Sequence, residues 1–584
     1  MTEAQLTQRR VILALIGAIA GFALWFLTEE LSDLESGGFG LLFLTALTVG
    51  YFGPLLAMVG PLSLPMAAIR AAIIGGPAAL LFSWASFRFE TVERYLETAH
   101  PILAFVILVT IPVPFLLSEG RSSDGTRGWR DYPALFQGAW STLVRYAASW
   151  LFVGLFWLVL MLSDAMLQLV GIEVIEFITR IDPVPFALSG LVFGLAIAVV
   201  NELSDYVSPN LVLRLLRLLL PLVLVIVSVF IVALPFQGLS NLFGSFSAAA
   251  TLIAMTLGSA TLVTVALDMT DADAVRAPVM RLSAQLLAVL MPAMASLAAY
   301  AIWLRVADYG WTPDRIAAAL LAFVVLGYAG FYALAVLRRG AWMGRIRHAN
   351  ILQSLVVLAL AALWLTPVLN PERISVNSQV ARFASGQAEV SDLDLWAFLN
   401  DWGRAGKDGI ERLREVAPEG TATLLSTRIK RAQDSGSKWQ FARDDRKDNS
   451  LPKAVELVPV AGGKRALSEA DLKNVSSYRL TRIVKGCERK TPKGHAGCIL
   501  LRADLLPGSE GEEGILFFMT GARNLDHEVI LGTRGAARVS SVDLTGWAQL
   551  SIDLIDQLAE GDFQIAPPRI GAIRVKDIDI FIHP

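Results

Sequence analysis

Apolar runs long enough to cross a bilayer recur eleven times before residue 370, and none follows it. They occupy residues 11–27, 39–60, 66–87, 102–118, 147–172, 184–203, 213–236, 248–268, 283–304, 316–337 and 351–369. A helix of about 20 apolar residues spans the hydrocarbon core. In lipid the backbone must satisfy its own hydrogen bonds, and runs this long and uniformly apolar do so as helices, not as barrel strands. The fifth run extends backward as an amphipathic helix to Tyr132. After Asn370 the pattern changes. Val376, Val380 and Phe383 recur at helical spacing within 374–385, and Ser391 to Asp394 can cap a helix over 393–402 that turns Trp396 and Leu399 inward. Short amphipathic helices are predicted over 408–416 and 421–433, and a charged loop over 435–449. Strand patterns then occupy 455–460, 478–485, 498–503, 514–520, 528–532, 537–544 and 572–582, with a helix at 548–559. The expected fold is an α-helical polytopic membrane bundle of about eleven transmembrane helices, followed by a soluble α+β domain with a mostly antiparallel sheet. The expected divisions are a membrane domain (1–369), a helical connector (370–449) and an α+β domain (450–584).

Charge in the connections orients the bundle. With the N-terminus inside, the inner connections carry fourteen arginines, densest at Arg338, Arg339, Arg345 and Arg347, against five outside. The first outer connection carries Glu29, Glu30, Asp33 and Glu35 and no positive charge. By the positive-inside rule the N-terminus is cytoplasmic, and an odd number of crossings puts the C-terminal domain on the far side. The first run follows Arg9 and Arg10, but Thr28-Glu29-Glu30 lacks a small-x-small cleavage pattern, so it reads as a retained anchor.

At 54% hydrophobic and 17% charged residues, the 584-residue chain falls outside the soluble range. A net charge of −2 offers no basic field for nucleic acid. Two cysteines exclude an iron–sulfur or Cys-rich zinc protein. Cys487 and Cys498 bracket a Gly/Pro turn between two predicted strands, where a disulfide is expected; two free thiols, or a metal pair with His495, are the alternatives.

Ionisable residues within the crossings are the default candidates for function. Asp164 lies in the fifth and Arg70 near the start of the third; Glu202 and Asp268 end the sixth and eighth. Together they suggest a polar pathway, with interfacial snorkelling or helix-end ion pairs as the alternative. Pro112 and Pro114 break the fourth crossing, and Pro221, Pro235 and Pro292 lie in or beside others; broken helices can build ion sites, but proline is also common in membrane helices. Glu29, Glu30 and Asp33 permit an enzyme reading, because many-helix lipid-linked glycosyltransferases pair an acidic first outer loop with an outer C-terminal domain. Only about ten residues are available here for that loop. The histidines are scattered, and no Walker loop, dinucleotide fingerprint or G-x-S-x-G elbow occurs in a suitable context. No cofactor or metal is expected.

Three stretches carry a resemblance: Leu160 to Ile172 with Val174 to Phe177, Ala187 to Ala196, and the polar element Leu369-Asn-Pro-Glu-Arg-Ile-Ser-Val-Asn-Ser-Gln379 running on to Arg382 and Gly386. Together they resemble the bacterial multi-pass membrane proteins grouped as domain of unknown function 4153. The resemblance implies a bacterial inner-membrane location and no established activity. In such relatives the strand after the second cysteine often runs into an Asp/Gly-rich calcium loop, but Asp504 to Gly514 lacks the alternating aspartates. The functional expectation is solute transport or sensing with a periplasmic ligand- or partner-binding domain. Structural scaffolding in the envelope and an enzyme acting on lipid-linked substrates are the alternatives. The bilayer is the one partner the sequence names, and it leaves the oligomeric state open.

Overall fold

The computed structural model describes residues 3–31, 38–118, 128–202, 209–237, 248–462, 466–473, 475–503, 512–521, 524–530, 551–565, 572–575 and 578–581. Among the described residues, eleven helices are long and apolar enough to cross a membrane. They are α1 (Gln5–Glu29), α2 (Gly38–Met58), α3 (Leu64–Ser86), α4 (Ala99–Ser118), α5 (Tyr132–Gln168) and α6 (Pro183–Glu202). The rest are α7 (Asn210–Leu234), α8 (Ala248–Leu267), α9 (Pro278–Tyr309), α10 (Pro313–Leu337) and α11 (Trp342–Leu365). The fifth crossing does begin at Tyr132, as one continuous helix. α4 breaks at Ile111, where Pro112 and Pro114 remove two backbone donors.

Chain contacts divide the protein into two compact units, Met1–Ala417 and Pro418–Pro584. In the first, α1 packs most extensively on α6. Lipid tails give no hydrophobic drive for helices to pair, so close packing must supply it. Gly17 and Gly21 on α1 face Gly190 and Gly194 on α6, two G-x-x-x-G motifs running antiparallel. A Cβ added at Gly17 would lie 2.0 Å from the Gly190 carbonyl oxygen, and one at Gly194 would lie 2.1 Å from that of Leu13. The same device joins α2 to α3, where a Cβ on Gly75 would lie 2.5 Å from the oxygen of Gly50.

Arginines bind the helix ends. The last carbonyls of a helix lack intrahelical donors, and cations are favoured beside them. Arg145 donates to the Ala57 carbonyl (3.3 Å) and to Asn201 Oδ1 (2.7 Å), and Arg70 to that of Leu116. Arg217 donates to Val265 (3.0 Å) and Arg345 to Ala335 (2.9 Å). Arg347 serves Leu267 (2.6 Å) and Asp268 (3.1 Å). These contacts, together with the pair of Arg10 on α1 with Glu202 on α6, gather the starts of α1, α3, α5, α7 and α11 with the ends of α2, α4, α6, α8 and α10. Such gathering is the signature of helices that alternate in direction.

Beyond α11, α12 (Pro371–Ala384) and α13 (Gly403–Val416) belong to the same unit. Val376, Val380 and Phe383 are buried, as their spacing predicts.

The second unit opens with α14 (Glu419–Asp434) and α15 (Lys438–Leu457). Its sheet is ordered β1 (Val460–Ala461), β2 (Cys498–Ala503), β3 (Glu513–Met519) and β4 (Leu525–Ile530), with only the β1–β2 pair parallel. α16 (Ser477–Cys487) separates β1 from β2. α17 (Asp553–Glu560) and a hairpin of β5 (Ala572–Val575) and β6 (Ile578–Phe581) follow. Both faces of the sheet are covered. Cys498, Leu500, Leu516 and Phe518 pack toward α15 and α16, while Ile499, Phe517 and Met519 pack toward Ile555 and Leu558 of α17.

Three local expectations fail, in whole or in part. The predicted strand 478–485 is helical: Leu480, Ile483, Val484 and Cys487 form one buried helical stripe, and Ser476 caps it by accepting from Arg479 N (3.3 Å). Its β-branched Thr481, Ile483 and Val484 mimic a strand, but the burial period is helical. Most of the predicted loop 435–449 and the first half of the predicted strand 455–460 are α15, capped by Ser437 accepting from Gln440 N (3.2 Å). Its polarity reflects exposure. The predicted strand 537–544 lies outside the described residues.

The glycine contact makes a direct prediction. Gly190→Val should lower the stability of the detergent-purified protein by about 1–3 kcal/mol through overpacking. Gly76→Val, where an added Cβ meets nothing within 4 Å, should cost far less. Chemical unfolding followed by tryptophan fluorescence checks this, and equal effects would refute the proposed role of the contact.

Candidate functional site

The first unit holds an open-sided cavity of about 680 Å³, close to the end where the arginines gather. Six helices wall it: the end of α2, the broken half of α4, the start of α5, the latter parts of α8 and α10, and the first half of α11. Most of the wall is apolar, including Phe115, Leu135, Trp140 and Leu257, and among the described residues no Asp, Glu, Lys, Arg or His contributes to it.

One polar cluster interrupts the apolar wall. Tyr332 O–H donates to Asn350 Oδ1 (2.5 Å), and the Asn350 amide donates to Tyr132 Oη (3.1 Å) and Thr264 Oγ1 (3.3 Å). Thr264 Oγ1 and Tyr332 Oη lie 2.7 Å apart. Four helices meet in this cluster: α5, α8, α10 and α11. Its residues are scattered from 132 to 350, and a neutral Tyr, Thr or Asn in a long apolar run raises no alarm. The one sequence signal nearby is the proline pair in α4, of which Pro114 lines the cavity.

The ionisable candidates lie elsewhere, each in its own contact. Asp164 accepts from Gln168 (2.9 Å) and from the backbone N–H of Glu176 (3.2 Å), which ties the end of α5 to the short helix Val174–Thr179. Glu202 pairs with Arg10, whose Nε lies 3.0 Å from Oε1. Asp268 pairs with Arg217 and adopts a positive φ of 50°. Arg70 engages Leu116. None of the four lines the cavity. Glu29 is exposed at the end of α1. Asp33 and the side chain of Glu30 lie outside the described residues.

The polar element after α11 forms a second constellation. Asn370 caps α12, accepting from Arg373 N (2.9 Å), and Pro371 takes the first helical turn. Glu372 is buried beside Arg88 (3.5 Å), and Arg88 also donates to the carbonyls of Trp364 (2.8 Å) and Thr366 (2.6 Å). Gln379 donates to the carbonyls of Tyr309 (2.8 Å) and Trp311 (3.1 Å), and Arg382 to that of Ala307 (2.8 Å). Gly386, with φ of 73°, ends the helix, and Gln387 N–H returns to the Arg382 carbonyl (2.9 Å). These residues latch α12 over the ends of α3, α9 and α11. Burial pushes the Glu372 carboxyl above the ordinary carboxylate range, and Arg88 only partly offsets it.

In the second unit Cys487 and Cys498 are joined in a disulfide, between the end of α16 and the start of β2. His495 bonds Asp556 (2.7 Å), which also accepts from Thr491. Burial would raise the Asp556 pKa, but the Thr491 and His495 hydrogen bonds, with the charges of His495 and Lys493, outweigh it and hold the carboxyl below its usual range. Among the described residues no three His, Cys, Asp or Glu side chains gather to hold a metal ion.

These features define a multi-pass membrane protein of eleven apolar helices with a C-terminal α+β unit. The chain belongs to the family described as domain of unknown function (DUF4153), whose profile matches residues 11–413. No curated protein and no solved structure matches it.

The latch yields a prediction with a sign. A raised folded pKa means that the folded protein holds the Glu372 proton more tightly than the unfolded chain does. Its contribution to stability is therefore fully present at low pH and is lost as pH rises through the raised value. Glu372→Gln should flatten that part of the stability–pH curve. Arg88→Leu should cost roughly 3–5 kcal/mol, because it strands a buried carboxyl and several carbonyls. Unfolding titrations of the purified protein across pH check both; an Arg88→Leu cost no larger than that of Glu372→Gln would count against the latch.

Proposed function

We propose that this protein sits in the bacterial inner membrane with its N-terminus in the cytoplasm, and that its bundle binds a small membrane-soluble molecule to sense or transfer it. The unit Pro418–Pro584 then lies in the periplasm as a ligand- or partner-binding module. The observation that carries the binding reading is the cavity of about 680 Å³, lined by six helices with no charged side chain among the described residues of its lining. Its volume falls within the usual range for small-molecule sites, about 300–1,000 Å³. Such a lining suits a molecule that partitions into lipid better than a hydrated ion or sugar. Support for the orientation comes from the arginine bias and from the gathering of arginines at one end of the bundle. The Cys487–Cys498 disulfide favours an oxidising compartment for the second unit. A catalytic reading based on Glu29 has no support from the cavity, which lies at the other end of α1.

Alkaline phosphatase fused after Pro584 should be active, and a fusion within 338–347 inactive; the reverse pattern would overturn the orientation. Native mass spectrometry of the full-length protein released from gentle detergent should show a bound neutral small molecule. Gly53→Phe, at a cavity-lining position where an added Cβ meets nothing within 4 Å, should lose it. Wild-type protein that carries no such molecule, even after incubation with membrane lipid extract, would overturn the binding reading.

A further inference from the structure

Building on the reading of the bundle as a binder of a membrane-soluble molecule, we propose that Tyr132 is the polar anchor of the cavity. Its ligand is an uncharged amphiphile that presents an acceptor oxygen, of an alcohol, ester or ketone, to the Tyr132 hydroxyl.

A count of protons in the cluster leads to Tyr132. Tyr332 has one hydroxyl proton, and it goes to Asn350 Oδ1. The hydrogen bond between Thr264 and Tyr332 must therefore be donated by Thr264. Both amide protons of Asn350 are committed, one to Thr264 and one to Tyr132. Every proton in the cluster then has an acceptor except that of Tyr132, whose oxygen accepts from Asn350 and whose own O–H meets no acceptor among the described residues. A phenolic hydroxyl in an apolar setting ordinarily finds a partner. Tyr132 lines the cavity. What is missing is an acceptor, and the cavity is where it would be supplied.

The same wall fixes the charge of the ligand. With no Asp, Glu, Lys, Arg or His lining the cavity among the described residues, a phosphate or ammonium head would be desolvated without a counter-charge, at a cost one tyrosine cannot offset. The apolar remainder, with Phe115, Trp140, Leu143 and Leu257, takes a hydrocarbon body.

The test uses the full-length protein in lipid nanodiscs and four diazirine-bearing probes of equal chain length: hexadecanol, its methyl-ester counterpart, hexadecane and hexadecyl phosphate. Labelling of cavity-lining peptides is mapped by mass spectrometry for wild type, Tyr132→Phe and Gly53→Phe. The alcohol or the ester should label about three- to tenfold more than the hydrocarbon, the preference that one buried hydrogen bond gives, and the phosphate least. Tyr132→Phe should bring the preferred probe down to the hydrocarbon level while leaving hydrocarbon labelling unchanged, which also shows that the cavity is intact. A preference for the alcohol marks a hydroxyl-ended lipid as the source, and a preference for the ester a carbonyl-ended one. Equal labelling by alcohol, ester and hydrocarbon, strongest labelling by the phosphate, or a preference that survives Tyr132→Phe would overturn the anchor. In those cases the binding reading still stands if Gly53→Phe suppresses labelling by every probe. Labelling that Gly53→Phe leaves unchanged overturns both.

Discussion

In hydrocarbon every backbone carbonyl must find its donor within the protein, and helix ends supply more carbonyls than the helices themselves can satisfy. Much of this bundle answers that constraint. Arg70, Arg145, Arg217, Arg345 and Arg347 rise from the starts of some helices and donate to the last carbonyls of others. On the opposite end Arg88, Arg382 and Gln379 do the same for α9 and α11. Arg10, Arg145, Arg217, Arg345 and Arg347, which contribute to the charge bias of the connections, thus also have structural roles. A planar guanidinium with five donors suits this task better than an ammonium would.

Helix pairing obeys a second constraint. Because association in lipid gains little from apolar burial, backbones must approach closely, and Gly17, Gly21, Gly190 and Gly194 let α1 and α6 meet almost without intervening side chains. Where bulkier residues separate the helices and α4 is broken by proline, the bundle holds a cavity instead. Its polar wall is neutral and closes on itself through Asn350, whereas the charged residues are spent on helix ends. Function, on this reading, resides in the uncharged polar groups, and the ionisable ones hold the frame.

In the second unit, both faces of a small sheet are covered, so its strands read as nearly continuous apolar runs, not as alternating ones. Arg502, like Glu513 in β3, departs from this pattern. It points to the α15–α16 face, fully buried, and pairs with Asp471 at 2.8 Å. Such a pair adds little net stability over an apolar substitute but is costly to break.

Much was determined by the sequence alone. The eleven crossings, the start of the fifth helix at Tyr132 and the helix over 374–385 were legible because length, hydropathy and apolar spacing act locally, although that last helix starts earlier, at Pro371. So were the strand after Cys498 and the pairing of the two cysteines. The helix at Ser477–Cys487 was misread because β-branched residues favour strands locally, whereas packing against the sheet decided its period. Tertiary structure alone decided which polar groups meet. Asp164, Glu202 and Asp268 stood out because charge in an apolar run is conspicuous, yet each is held at a helix end. Tyr132, Thr264, Tyr332 and Asn350 were silent, because a neutral hydroxyl or amide is cheap anywhere along a helix and acquires meaning only when folding brings four of them to one wall.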